Sequence, residues 1–219
     1  MNPLLDLLSK HFIAINLEDS VAEVQDFFGE VTFSHFPVVQ DSIFIGCISA
    51  DDIETFEKSK SLLDYRYALE VFFARTNMNW FDVLSIFAQH DTNICPVLDE
   101  SNNYIGYYEI LDIISVFNET PFVKEAGGII IVEKPVKEYS MSQVAQIVES
   151  NNGRLLGLFI SEADTELVRI TLKTTLGAVN DIIQTFRRYN YTIVSEHQED
   201  AYLSTLKERS DYLDKYLNL

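Results

Sequence analysis

Two segments of the chain carry the same pattern in the same order. Phe36-Pro37-Val38-Val39 leads through a short turn to Ile43-Phe44-Ile45-Gly46-Cys47-Ile48-Ser49-Ala50-Asp51-Asp52-Ile53. Cys95-Pro96-Val97-Leu98 leads through a turn to Tyr104-Ile105-Gly106-Tyr107-Tyr108-Glu109-Ile110-Leu111-Asp112-Ile113. Gly46 and Gly106 lie 60 residues apart, as do Asp52 and Asp112, whereas Pro37 and Pro96 lie 59 apart. The copies therefore differ by one residue between proline and glycine. Duplication is the economical explanation, and a duplicated unit must fold the same way twice.

Each copy reads β-α-β-β-α. In the first, Phe12–Ile15 is a short strand candidate, and Asp19-Ser20 offers an N-cap before Val21, Val24, Phe27 and Phe28 at helical spacing. Phe36–Val39 and Ile43–Ile48 are strands joined tightly enough for a hairpin, and Ser49 opens a second helix. In the second, Leu69–Phe73 is the first strand, and Asn79 caps a helix whose Phe81, Leu84 and Phe87 fall 60 positions after Val21, Val24 and Phe27. Ile94–Leu98 and Tyr104–Tyr108 are the paired strands, and Ile110–Phe117 closes the copy. The linker 58–66 is expected to include a helical turn.

Pro121 starts a different grammar. Gly128–Glu133 is a β-branched strand, with Gly127-Gly128 ahead of it as a hinge. Ser140-x-x-Gln143 reads as a capping box for a helix carrying Val144, Ile147 and Val148. Arg154–Ser161 and Leu167–Thr174 are strands, Leu176–Tyr189 a helix, and Tyr191–Glu196 a last strand. This βαββαβ order predicts a ferredoxin-like α+β sandwich. In the tail, Leu203, Leu206, Ser210, Leu213 and Leu217 form one stripe, read either as a helix packed on its own domain or as a dimer contact. The expected domains are 1–120, with repeats at about 8–60 and 66–118, then 121–200, then a helix at 201–219.

Charge excludes several partners. The chain carries 16 Lys and Arg against 34 Asp and Glu, a formal charge of −18. The deficit is concentrated before residue 121, where Lys10, Lys58, Lys60, Arg66 and Arg75 are the only basic residues. Nucleic acid and anionic membrane surfaces are poor partners for such a surface. No apolar run approaches the ~18 residues of a membrane span. The N-terminus lacks a secretion-signal pattern. Cys47 and Cys95 fall in apolar strands, as buried small hydrophobes of a cytoplasmic protein.

The repeated apolar-Pro-Val strand and Gly-x-apolar-(Ser/Thr)-x-x-Asp segment resemble a tandem pair of CBS (cystathionine β-synthase) domains, a Bateman module, over roughly residues 8–118. Residues 127–197 look like an ACT domain by topology. The combination is similar to the CBS–ACT regulatory proteins of acetoin utilisation. The fold class expected is thus α+β / α/β: paired CBS-type repeats, an ACT-like ferredoxin fold and a C-terminal helix.

The resemblance implies a non-enzymatic sensor that acts as a homodimer, regulates an unidentified protein partner and binds an adenosine-type small molecule in the CBS clefts. In that family the Ser/Thr approaches phosphate and the Asp accepts from ribose hydroxyls. The matching positions are Ser49 and Asp52 in the first copy and Asp112 in the second; His35 stands where the cleft opens. Ser49 and Asp52 equally suit a helix N-cap and its acidic first turn, with no ligand at all. Glu109 replaces the expected hydroxyl in the second copy, and a carboxylate there repels phosphate. AMP, adenosine or S-adenosylmethionine therefore fits better than ATP. Two other readings stay open. One is a structural or interaction protein with non-functional pockets. The other is a divalent-cation sensor, should Asp51, Asp52, Glu109 and Asp112 converge. The ACT-like half has no glycine in Lys134-Pro135-Val136-Lys137-Glu138-Tyr139-Ser140, where amino-acid-binding members usually carry one, so a dimer-forming role is favoured there. No required cofactor, metal-ligand spacing or catalytic constellation is found.

Overall fold

Residues 3–195 are described by a computed structural model of the protein. The chain divides after Asn118 into two units. In the first, a 3-10 turn at Pro3–Leu7 precedes β1 (Ile15–Asn16), α1 (Val21–Glu30), β2 (His35–Gln40), β3 (Ile43–Ser49) and α2 (Ala50–Thr55). A second 3-10 segment, Leu62–Ala68, leads to β4 (Ala74–Arg75), α3 (Trp80–His90), β5 (Ile94–Leu98), β6 (Tyr104–Glu109) and α4 (Ile110–Asn118). The strands form two three-stranded sheets, β1-β2-β3 and β4-β5-β6. In each, the first pair is parallel and the second antiparallel.

The repetition extends to detail. Register slips between Val38 and Val39 in one sheet and between Val97 and Leu98 in the other, at equivalent places. The extra residue of the second copy is taken up in the turn. Asp41 and Ser42 make the first hairpin with both φ angles positive, at 51° and 67°. The second turn is longer, and Asp99 holds it by accepting from the N–H groups of Ser101 and Asn103. Helix starts follow the capping residues. Ser20 and Glu23 bond reciprocally ahead of α1, and Asn79 Oδ1 accepts from the N–H groups of Phe81 and Asp82 ahead of α3.

The first strand of each copy departs from the expectation. Phe12–Ile15 and Leu69–Phe73 are largely unpaired, and the strands come later and shorter, at Ile15–Asn16 and Ala74–Arg75. Each entering segment is shared between two sheets. Ser9 exchanges backbone hydrogen bonds with Tyr107 of β6 before the chain reaches β1. Glu70 does the same with Cys47 of β3 before the chain reaches β4. Each copy thus lends a short segment to the sheet of the other.

That exchange explains the repeated glycine. A Cβ at Gly46 would lie 2.9 Å from Leu69 Cβ and 3.0 Å from the Glu70 carbonyl oxygen. At Gly106, where φ is +147°, it would lie 2.6 Å from the Ser9 carbonyl oxygen. A side chain at either place collides with the lent segment.

One core gathers Ile15, Val21, Val24, Phe36, Val38, Ile48 and Ile53, together with Ile94 and Tyr107 of the second copy. Another gathers Leu4, Ala74, Val83, Phe87, Cys95, Val97, Tyr108 and Ile113. Burying ~25 cal/mol per Å2 of apolar surface, these clusters supply the main drive for folding.

The second unit contains α5 (Pro121–Lys124), β7 (Gly128–Pro135), α6 (Met141–Ser150), β8 (Leu155–Ala163), β9 (Leu167–Thr174), α7 (Val179–Arg188) and β10 (Thr192–Ile193). Its sheet runs β10-β7-β9-β8, antiparallel throughout, the strand order of a ferredoxin-like βαββαβ sandwich. Ile130 and Val132 alternate inward along β7 and meet Val144, Ile147 and Val148 of α6 and Ile182, Ile183 and Phe186 of α7.

Three local readings change here. Ser140 caps α6, but the Gln143 side chain turns inward and accepts from Tyr191 Oη at 3.1 Å and from Lys134 Nζ, so the box is half made. Gly127 and Gly128 are packing positions rather than a hinge, since a Cβ would meet the Thr174 carbonyl oxygen at 2.4 Å or Val179 Cγ2 at 2.8 Å. The last helix begins at Val179, not Leu176, which stays exposed. Pro135 ends β7 and its carbonyl accepts from the N–H groups of Glu138 and Tyr139, closing the glycine-free turn. The tail stripe, Leu203 to Leu217, lies outside the described residues. Among the described residues no helix is long and apolar enough to cross a membrane.

Candidate functional site

Ser49 is the last residue of β3 and the N-cap of α2. Its Oγ accepts from the Asp52 N–H at 3.0 Å, and the Ala50 N–H donates to the Ser34 carbonyl at 2.8 Å. Asp52 sits half-buried in the first turn of a six-residue helix, and Asp51 is exposed. His35 is the register partner of Ser49 across β2 and β3 and is buried. Two of the sequence-derived candidates therefore stand side by side.

Strand alternation places Cys47 and Ser49 on one face of β3, and cross-strand partners share that face. Glu70, the partner of Cys47 on the opposite edge, joins it. The Glu70 carboxylate points one oxygen at each of two imidazoles, with Oε1 3.7 Å from His35 Nε2 and Oε2 3.8 Å from His90 Nδ1. Phe72 sets both rings: its edge meets His35 with centroids 5.5 Å apart, and it stacks on His90 at 4.5 Å. His35 Nδ1 in turn lies 3.0 Å from Ser34 Oγ.

The two copies are tied together beneath this face. The Ser34 N–H donates to Asn93 Oδ1 at 2.9 Å, and the Asn93 N–H donates to Ser34 Oγ at 3.1 Å. Asn93 Nδ2 also donates to the Thr32 carbonyl at 2.7 Å. Ser34 and Asn93 are equivalent residues of the repeat, and Asn93 does for α4 what Ser34 does for α2, accepting from the Ile110 N–H at 3.0 Å.

The second copy builds the same face from other side chains. Glu109 pairs with Ile94, and Tyr107 with Ser9. Where the first copy presents His35, Cys47, Ser49 and Glu70, the second presents Ile94, Tyr107, Glu109 and Ser9. The hydroxyl and the carboxylate have exchanged places. Asp112 is half-buried in the first turn of α4, as Asp52 is in α2. Asp51, Asp52, Glu109 and Asp112 do not gather: among the described residues no group of three or more His, Cys, Asp or Glu side chains is arranged to hold a metal ion. The convergence that a cation sensor requires is absent there.

Glu70, Phe72 and His90 escaped the sequence reading. They precede or end the elements of the second copy, and the lent segment brings Glu70 and Phe72 to His35. A cleft of about 280 Å3 was missed as well. It is lined by Lys10, Phe12 and Ala14 of the entering segment, Val39 and Ser42 of one hairpin, and Tyr104 of the other. It lies at the turn ends of β2 and β6, away from Ser49 and Glu109 at the opposite ends. The thiols offer no nucleophile. Both are buried, burial pushes Cys95 up to about 12, and Cys47 is also raised well above its ordinary value.

The CBS domain family matches residues 5–57 and again residues 68–119. The first unit is a tandem CBS pair. An uncharacterised protein of Methanocaldococcus jannaschii is 27% identical over 128 residues, covering 57% of this chain and 48% of the relative. The chain spans about half the length of that curated relative. A CBS domain pair/ACT domain protein of Thermotoga maritima aligns with 18% identity and a TM-score of 0.49 over 54% of this chain and 98% of the other. A CBS protein solved in complex with AMP aligns with 16% identity and a TM-score of 0.45 over 53% and 96%.

Proposed function

We propose that this protein is a non-enzymatic regulatory module whose CBS pair binds an adenosine-type ligand in the cleft that Ser49 and Asp52 line. AMP, adenosine or S-adenosylmethionine suits that cleft better than ATP. The observation that carries the reading is the chemistry of one sheet face. There the Ser49 hydroxyl and the buried His35 imidazole are cross-strand partners, Asp52 follows in the first turn of α2, and a carboxylate can accept from vicinal ribose hydroxyls. The basic residues that a polyphosphate would need are scarce in the first unit, and two are already engaged: Lys60 with Glu57, and Arg75 with Asp99 and Asn102 of the long turn.

In this reading the second unit is ACT-like and assists formation of a homodimer. The sheet face away from its helices supports that role, since it leaves Ile129 and Phe159 about half exposed. The cytoplasm is the compartment, and a regulated protein rather than nucleic acid or membrane is the partner. Ligand binding regulates only if it favours one conformation over another. Titration calorimetry of the full chain with adenosine, AMP, ATP and S-adenosylmethionine tests this. Heat from at least one, weakest with ATP, is expected; no heat from any at about millimolar concentration overturns it.

A second reading is an interaction protein whose pockets no longer bind. Glu109 and Glu70 favour it, because each places a carboxylate on the face that a phosphate would approach. A firm dimer in sedimentation, with no thermal shift from any nucleotide, is its signature.

A further inference from the structure

We infer that Glu70 sets the charge of the ligand accepted beside Ser49, turning this cleft against phosphate and toward neutral or cationic adenosine compounds. The inference rests on the proposed ligand-binding function and sharpens it. Three observations carry it. The Glu70 backbone is fixed to Cys47 by two hydrogen bonds, of 2.7 and 2.9 Å, so its side chain is delivered to the Ser49 face by the sheet rather than by a loose loop. Its two oxygens are aimed at His35 and His90, from different copies, with Phe72 packed on both rings. The side chain remains about half exposed, so it meets whatever enters.

The consequence is electrostatic. The imidazoles would be the natural partners of an incoming anion, and Glu70 already stands between them. A phosphate must displace or oppose that carboxylate, and like charges at contact distance repel. An uncharged adenosine leaves the arrangement in place. A ligand with a positive sulfonium gains from it.

The second copy shows what the alternative looks like. The residue in the position of Glu70 is Ser9, and the carboxylate has moved to Glu109. The carboxylate is thus placed differently in the two copies, once on the lent segment and once at the head of the helix.

The test uses the full chain as wild type, Glu70→Gln and Glu70→Ser, titrated calorimetrically with adenosine, AMP and S-adenosylmethionine. The sheet bonds of Glu70 are made by its backbone, so both variants keep them. Wild type is expected to bind adenosine and S-adenosylmethionine about tenfold or more tightly than AMP. Both variants should shift the adenosine-to-AMP preference about tenfold toward AMP. A preference unchanged in both variants while adenosine still binds overturns the role of Glu70 and leaves the ligand-binding function standing. No heat from any compound with any of the three proteins removes that function, and the inference with it.

Discussion

The two CBS copies share a fold down to the position of a strand irregularity, yet differ on the one face where a ligand would lie. Val38–Val39 and Val97–Leu98 slip register at equivalent places, and Ser34 and Asn93 hold equivalent helices. On the matching sheet face the first copy has His35, Ser49 and Glu70 where the second has Ile94, Glu109 and Ser9. Backbone geometry has been kept while polar chemistry has been redistributed. Packing tolerates little change in volume, whereas a partly solvated face tolerates exchange of hydroxyl and carboxylate.

The comparison can be broken at its shared elements. Gly106→Ala should be the most damaging change, because its Cβ would strike the Ser9 carbonyl and φ is unfavourable for any side chain. A loss of about 2–4 kcal/mol is expected, against about 1–2 for Gly46→Ala, where only contact strain applies. Thermal unfolding of the two variants side by side measures the difference. Equal losses would mean that the backbone angle at Gly106 costs nothing.

Asn93→Ala removes bonds to Ser34 and Thr32 at once and should cost about 1–2 kcal/mol, whereas Ser34→Ala should cost about half of that. Denaturant melts decide between them. Equal costs would show that the two sides of the tie are interchangeable.

The thiols sharpen the comparison in pH. Each has a folded-state pKa above its unfolded value, so the folded state keeps its proton after the unfolded chain has lost it. Stability is then intact below the ordinary value of 9.0 and falls as pH rises toward about 12 for Cys95. The slope per thiol is at most about 1.4 kcal/mol per pH unit. Cys95→Ala should flatten the decline between about pH 9 and 11, where each thiol contributes separately. An unchanged slope in denaturant melts would remove Cys95 from the account.

Glu109→Ser gives the second copy the capping residue of the first. The expected gain in stability is the smallest of the set, about 0.5–1 kcal/mol. Calorimetry should show ligand stoichiometry rising toward two per chain. A stoichiometry that stays at one would place the asymmetry elsewhere on the face, with Ile94 the next residue to change.

Much of the architecture was legible because it rests on local rules applied twice. Ser20, Ser49 and Asn79 start helices where side chains accept from free N–H groups, and Ile94–Leu98 and Leu167–Thr174 are strands throughout their expected lengths. What escaped depends on contacts distant in sequence. Phe12–Ile15 has strand composition, but Ser9 ahead of it pairs with one sheet and Ile15 at its end with the other, so most of it stays unpaired. Gln143 has the spacing of a capping box, but Tyr191 and Lys134, buried nearby, compete for its side chain. At the candidate site, Ser49 and Asp52 were visible as a motif and His35 as a neighbour. Glu70 and His90 were not, because no local pattern distinguishes a carboxylate that will cross into the other copy.

The lent segments carry a consequence for how this duplication can change over evolutionary time. A substitution at residue 70 lies in the second copy by descent but alters the surroundings of Ser49 in the first, and a substitution at residue 9 does the reverse for Glu109. Neither copy can be inherited, swapped or redesigned as a self-contained cassette. Its sheet face is written partly in the text of its twin, and aligning the repeats one beneath the other assigns residues 9 and 70 to the wrong sheet.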